Sequence, residues 1–340
     1  MTPRTDFERF GLSTGTVDVR GRLLLLSADV EAFVKGPIGL WELALDSWAR
    51  HSRRVSMPTS IFVATEDLSV LRAEREADFR NFTAALRRVA DEGSCILPHN
   101  HAVFDPAEGR LVTDPTMITD SVPGYGKRTS FFYDAVHRHG VVLGDWLRAV
   151  ITAHHDLLGG DAATDGASAI FRAGGWDHGS TRDECAAYVH ALHAAGVAID
   201  SSASSGTYGE PSYRVGAPFG ENVFRLSSGA VEVAPCLSVN IGVPLLSRAN
   251  AGSAWRALNQ PKLRRRANGA LVVVVHMDHL FEARRGRRRE PFGVREASTV
   301  ERRVSRMFSL FARLRSLGGL QATTFDRLQD SGRELVVSNA

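Results

Sequence analysis

The sequence predicts a single α/β domain built as a barrel of parallel strands, less regular than a (β/α)8 barrel. Three observations carry that expectation. Short apolar runs alternate repeatedly with longer helical patterns, the signature of βα units and a parallel sheet. One run, Leu23-Leu24-Leu25-Leu26, has no polar alternation, which suits a strand buried on both faces. Five of the strand-like runs end in ionisable groups: Asp29 with Glu31, His99 with His101, Arg172, Asp200 and His276. A parallel barrel gathers its strand ends at one mouth, so residues far apart in sequence meet there.

The first strand runs from Leu23 into Ser27-Ala28-Asp29-Val30-Glu31, and the two carboxylates, two apart, share one face if the strand geometry persists. The alternative at this point is that Asp29 caps the turn that follows. Leu40 to Arg50 reads as a helix with Trp41, Leu45 and Trp48 on one side, and Ser60 to Ala64 as the second strand. Glu74 to Asp91 is expected as one helix, through Phe79, Phe82, Leu86 and Val89 at helical spacing. Gly93 ends it, and the strand Ser94 to Leu97 closes on Pro98-His99-Asn100-His101.

The alternation breaks between about residues 104 and 166, where prolines and glycines predict a long binding or lid loop, followed by a helix from Val142 to Leu158. Strand Ala169 to Arg172, helix Thr181 to Ala195 and strand Val197 to Asp200 come next. Strands Ala230 to Ala234 and Ala270 to His276, helix Val300 to Leu317 and a last strand Gly319 to Thr323 complete the pattern. The expected boundaries are an extension over 1–20, the barrel over 21–330 and a tail over 331–340.

Composition narrows the function classes. At 44% hydrophobic and 23% charged residues the chain reads as globular, and no repeat or composition shift marks a second domain. A net charge of +3 over 340 residues gives no general argument for nucleic acid. The polar start has no apolar core of signal-peptide length, and no segment approaches the roughly 20 apolar residues of a membrane span. Cys95, Cys185 and Cys236 lack any C-x-x-C spacing and read as small buried hydrophobes. A cytoplasmic protein without membrane contact is the expectation.

Two carboxylates and two histidines at one mouth suit zinc, with nickel, cobalt or manganese as alternatives. Such an ion polarises a carbonyl and lowers the pKa of water, as amide hydrolysis requires. His154-His155 and the pair His190 and His193 read as solvated helix faces, since adjacent helical side chains diverge. The run Arg284-Arg285-Gly286-Arg287-Arg288-Arg289 reads either as a solvated loop or as a site for phosphate or a nucleotide-linked substrate.

The order Asp29-Val30-Glu31, His99-x-His101, Phe171-Arg172-Ala173-Gly174-Gly175-Trp176, Asp200-Ser201-Ser202, Glu232-Val233-Ala234-Pro235 and His276 resembles that of polysaccharide deacetylase-like proteins of the NodB-homology superfamily. The resemblance covers about residues 20 to 330 and is most specific in the Phe-Arg-Ala-Gly-x-Trp and Asp-Ser-Ser segments. It implies a deformed (β/α)7 barrel in a single domain, a divalent metal ion and deacetylation of an N-acetylated sugar. It assigns Asp29 as the base, Arg172 as the group orienting it, His276 as the acid for the leaving amine and Asp200 as its tuner. Glu31, His99 and His101 become the metal ligands, and Trp176 and Tyr208 candidates to stack on the sugar.

The sequence also departs from that family. Its usual Thr-Phe-Asp-Asp-Gly is here Asp29-Val30-Glu31, so the metal carboxylate is open between Asp29 and Glu31. Its histidines stand four apart, whereas here they are two apart, and only His101 aligns without a shift. With no signal peptide expected, the substrate expected is a small saccharide or glycoside. The alternatives are another C–N bond or a silent barrel that binds a saccharide or a partner. The sequence does not predict an oligomeric state.

Overall fold

The computed structural model describes residues 6–31, 33–101, 104–105, 109–111, 142–159, 170–174, 181–202, 222–233, 237–239, 268–285, 288–290, 293–294, 296–330 and 335–337. A short helix, α1 (Asp6–Arg9), and strand β1 (Ser13–Val19) precede β2 (Arg22–Val30). Then follow α2 (Ile38–Arg54), β3 (Ser60–Ala64), α3 (Thr65–Glu74), α4 (Glu76–Asp91) and β4 (Cys95–Asn100). A small ribbon, β5 (Phe104–Asp105) with β6 (Arg110–Leu111), leads to α5 (Leu143–Leu158), β7 (Ile170–Ala173), α6 (Arg182–Ala194) and β8 (Ile199–Asp200). Strands β9 (Val223–Leu226), β10 (Val231–Val233), β11 (Leu237–Val239) and β12 (Gly269–His276) come next. Beyond a 3-10 turn at Met277–Phe281, the ribbon β13 (Ala283–Arg285) with β14 (Arg288–Glu290) precedes α7 (Ala297–Gly318), β15 (Gln321–Thr323), α8 (Phe325–Asp330) and β16 (Leu335–Val337).

Eight strands pair in parallel in the order β11-β12-β2-β3-β4-β7-β8-β10. Their C-terminal ends therefore share one end of the sheet, as the sequence predicts. Among the described residues no ladder joins the two ends of this path, although only residues 234–236 separate β10 from β11 in the chain. The segments expected to flank the barrel each add a strand, β1 and β16, and together with β9 these extend the sheet antiparallel. At the opposite end from the mouth, β15 pairs with Leu23–Leu25 of β2 on the side where β3 pairs only with Ser27–Val30.

Strand β2 is buried from Leu24 to Val30, as a strand covered on both faces must be. Helix α2 turns Trp41, Leu45 and Trp48 into the core, where Trp48 meets Phe308 of α7 edge-on and its indole N–H donates to Thr59 Oγ1 at 2.9 Å. The helix expected over Glu74 to Asp91 is α4, and α3, over Thr65–Glu74, is a further helix ahead of it. Arg75, at φ −143° and ψ 59°, breaks the path between α3 and α4. Glu66 and Asp67 lie in the first turn of α3, where acids complement the helix dipole. The pair Thr181 and Glu184 forms a capping box, which places the start of α6 where the sequence predicts it. Cys95 and Cys185 are buried, and Cys236 lies outside the described residues. Among the described residues, no helix is long and apolar enough to cross a membrane.

Truncating Trp48 to Ala should cost about 3–5 kcal/mol, because the cavity in the α2–α7 contact cannot refill. Trp48→Phe keeps most of the ring and loses the Thr59 hydrogen bond, for about 1 kcal/mol. Urea denaturation midpoints of the two variants test this ranking.

Candidate active site

Sheet register explains why the strand ends meet. Asp29 of β2 pairs with His276 of β12 on one side and with Phe62 of β3 on the other. One step beyond the Val30–Val63 pair, Glu31 comes level with Ala64, which pairs with His99, and His99 pairs in turn with Arg172. Paired residues of a parallel sheet face the same way, and residues two apart share that face. Asp29, Glu31, His99, His101, Arg172 and His276 are thereby directed to a common space, with the small Ala64 side chain leaving room between Glu31 and His99.

Arg172 organises one half of this space. It is fully buried, and its Nη1 donates to Asp29 Oδ1 at 2.5 Å. Its Nη2 donates to Ser27 Oγ and Ser201 Oγ, both at 3.0 Å, and its Nε to the Ser201 carbonyl. Its guanidinium carbon lies 3.8 Å from the centroid of the Phe62 ring, a cation–π contact in a dry setting. Across from it, His276 Nε2 stands 3.8 Å from the other oxygen, Asp29 Oδ2.

The other half is a ring of nitrogen and oxygen donors. Glu31, His99 and His101 are all buried, and each offers a ligand atom within 4.8 Å of those of the other two. Glu31 Oε2 is 3.3 Å from His99 Nε2 and 2.5 Å from His101 Nε2. The His101 Nε2 contact lacks hydrogen-bond directions, and that nitrogen has no hydrogen-bond partner among the described residues. Each ring is anchored from behind: His99 Nδ1 lies 2.9 Å from the Arg172 carbonyl, and His101 Nδ1 lies 3.2 Å from Glu66 Oε1. Donation from both Nδ1 atoms leaves the Nε2 lone pairs facing inward, the arrangement that metal-ligating histidines adopt. The donor set thus fits a divalent ion, with Glu31 as its carboxylate and Asp29 engaged by Arg172. Val30 faces the other way and belongs to the hydrophobic core.

Charge at the triad is self-compensating without an ion. Burial by itself would raise the Glu31 carboxyl, but the neighbouring His101, His99 and His276 hold it well below the ordinary range. Burial by itself would lower His101, but Glu31 and Glu66 push it well above 6.5.

Gly174 explains the glycine of the Phe-Arg-Ala-Gly segment. A Cβ there would lie 2.4 Å from His101 Cγ and 2.5 Å from the Asn100 carbonyl oxygen. The backbone of β7 can pass beneath His101 only without a side chain.

Two site residues escape the sequence reading. Glu66 accepts from both the backbone N–H and the ring of His101; an acid directly after strand Ser60–Ala64 is the signal that could have found it. Asp278, in the turn after His276, is pushed up to about 7 by burial and by the charges of Glu31 and Glu282, which outweigh His276. The His276-Met277-Asp278-His279 cluster is its signal.

Asp200, expected to tune His276, needs correction. It pairs with Phe171, not Arg172, and so lies on the opposite face of the sheet, accepting from Tyr188 Oη at 3.0 Å and Ser202 Oγ at 2.7 Å. His154 is likewise not on a solvated face: it is fully buried, with Nδ1 3.3 Å from Thr65 Oγ1, and burial pulls it down to about 3. His190 and His193 are exposed, as expected. Trp176 and Tyr208 lie outside the described residues.

This architecture has known counterparts. A candidate polysaccharide deacetylase from Mycobacterium smegmatis superposes with a TM-score of 0.52 at 14% identity, over 95% of this chain and 96% of that one. The fold is that of the polysaccharide deacetylases. A family 4 carbohydrate esterase from Streptomyces lividans aligns over 90% of this chain and 93% of its own at 12% identity, TM-score 0.38. One from Bacillus anthracis aligns over 96% and 91% at 11% identity, TM-score 0.38. No family model and no curated protein matches the sequence. The deformed (β/α)7 barrel expected from the motifs is therefore the fold found, carried by structure where sequence identity is low.

Two outcomes follow from the site. Gly174→Ala should cost about 1–3 kcal/mol through the clash at His101, read from urea midpoints. In chelator-treated protein, the raised His101 contributes stability that is complete below pH 6.5 and lost as pH rises through its folded value. The lowered Glu31 contributes above pH 4.5, lost as pH falls through its folded value. Denaturation midpoints should fall from pH 6.5 upward in the parent and run flatter in His101→Ala. Parallel curves would show that the pair does not form.

Proposed function

We propose that this protein is a divalent-metal-dependent hydrolase that removes the acetyl group from an N-acetylated saccharide or glycoside. The observation that carries the reading is the side-by-side placement of the Glu31–His99–His101 donor set and the Asp29–Arg172 pair, with His276 3.8 Å from Asp29. Bound by Glu31, His99 and His101, an ion such as zinc would polarise the amide carbonyl and make water a stronger acid.

The chain's own residues supply the proton traffic. Arg172 holds Asp29 through Oδ1 and leaves Oδ2 to take the proton of the attacking water. The water oxygen adds to the acetyl carbon, the C–N bond breaks, and the departing amine takes a proton from His276. Each such acid–base group contributes about 10²–10⁴ in rate. Burial of Arg172 and Asp29 keeps bulk water from loosening their geometry. Trp176 and Tyr208 remain proposed as sugar-stacking residues, and a zinc ion as the metal.

The test is acetate release from a panel of N-acetylated sugars by protein loaded with zinc, nickel, cobalt or manganese, with metal content measured in parallel. Near-stoichiometric metal should bind the parent and be lost in His101→Ala. Asp29→Asn should keep its metal and lose about 10²–10⁴ in kcat. Absence of metal binding after loading would overturn the hydrolase reading and favour a silent barrel. Turnover of non-sugar amides alone would move the reaction to another C–N bond.

A further inference from the structure

We propose that a cleft at the end of the sheet away from the mouth is a second binding site, for a small organic carboxylate with an apolar body. The proposal goes beyond the deacetylase reading and uses none of its residues. The cleft, of about 500 Å³, lies between the turn that joins α6 to β8 and the hairpin that joins β9 to β10. A volume of that size is ordinary for a small-molecule site. Its apolar lining includes Val197, Ile199 and Val231, and its polar side chains are Arg225, His193 and Ser228. Among the described residues that line it there is no acid. A Cβ built on Gly196 or Gly229, which also line it, meets no atom within 4 Å, so the space above both is open.

Sheet register fixes where the cation sits. Val231 of β10 pairs with Arg225 of β9 on one side and with Ile199 of β8 on the other, and Ile199 pairs in turn with Ile170. Paired residues face the same way, so Arg225 shares its face with two apolar neighbours. Ile170 stands two residues, about 7 Å, before Arg172, so the cleft lies toward the end where these strands begin, away from the Asp29 cluster. Strand β9 is held between β1 and β10, which pairs the Arg225 backbone along both edges. The guanidinium folds onto its own hairpin, where Nη1 donates to the Gly229 carbonyl at 2.8 Å. That bond uses one donor, and among the described residues no carboxylate pairs with Arg225 or with His193. A fixed guanidinium without a counter-ion meets a carboxylate with two parallel hydrogen bonds. Ser228 Oγ accepts from Ala230 N–H at 3.4 Å, which leaves its own proton for an acceptor, and the His193 ring donates in either tautomer. One guanidinium offsets a monoanion, whereas a phosphate dianion would keep an uncompensated charge beside apolar surface. The chemistry therefore selects a carboxylic acid with a hydrocarbon body.

The experiment uses the full chain, treated with chelator so that no metal competes for the anion. Benzoate, acetate, phenyl phosphate and benzyl alcohol are titrated by calorimetry and by thermal melts at low and physiological salt. Benzoate should bind at least about tenfold more tightly than benzyl alcohol, which lacks the charge, and than acetate, which lacks the apolar body. Arg225→Gln should abolish the preference over benzyl alcohol. Arg225→Lys, which keeps the charge without the fork, should weaken benzoate about tenfold. His193→Gln, at an exposed position, should weaken it about three- to tenfold while the protein without ligand melts as the parent does. If Arg225→Gln melts well below the parent, Arg225→Lys and His193→Gln decide. Equal binding of benzoate and benzyl alcohol by the parent, or unchanged benzoate binding in the Arg225 and His193 variants, would overturn the site. Benzoate binding that survives Arg225→Gln and is lost in His101→Ala would place the anion at the mouth and overturn it as well. Tighter binding of phenyl phosphate than of benzoate would overturn the carboxylate assignment.

Discussion

A guanidinium with no access to water is the constraint on which this structure depends. Burying an unpaired charge costs several kcal/mol, so Arg172 requires a partner for each of its donors. It finds them in Asp29 and Ser27 of β2, in the hydroxyl and carbonyl of Ser201 just after β8, and in the face of Phe62 on β3. Four strands are thus held to one register by a single side chain on β7. Removing any partner leaves a buried donor stranded.

The same residue divides the labour between two carboxylates that look equivalent in sequence. Asp29 and Glu31 both end β2 on one face, yet the guanidinium takes Asp29 and leaves Glu31 to the histidines. The backbone carbonyl of Arg172 also receives His99 Nδ1, so one residue positions the Asp29 carboxylate with its side chain and the His99 imidazole with its main chain. The unusual spacing of the histidines follows from the same geometry. Two positions apart on a strand end, His99 and His101 face one centre directly, and Gly174 leaves the space that His101 occupies.

Most of the parallel framework is legible in the sequence because its strands are apolar runs with nothing to alternate, as in β2 and β12. The added strands are not. Ser13 to Val19 mixes Thr, Gly and Asp with valine and carries little strand signal by itself, and it is ordered by pairing with β9 and β16. The ionisable strand ends were legible as a set, but side-chain direction was not. Asp200 looks like a mouth residue until the register with Phe171 turns it toward α6. His154 resembles a surface residue beside His155, and only the packing of α5 against α3 hides it. Glu66 and Asp278 lie in helical turns just after strands, where no run or period points to them.

The seating of β15 has a consequence for how the chain acquires its shape. Strand β2 is laid down early in the chain, yet both its flanks at the end away from the mouth are filled from afar, by β12 and by β15. Its contacts therefore close loops of some of the longest sequence separation the chain allows, and such topologies fold slowly. Until residue 323 is available, β2 presents an unprotected apolar edge, the kind that nascent chains pair with one another. Asp29 stands on that strand, so the cluster it forms with Arg172 and His276 is among the last features to be assembled during synthesis.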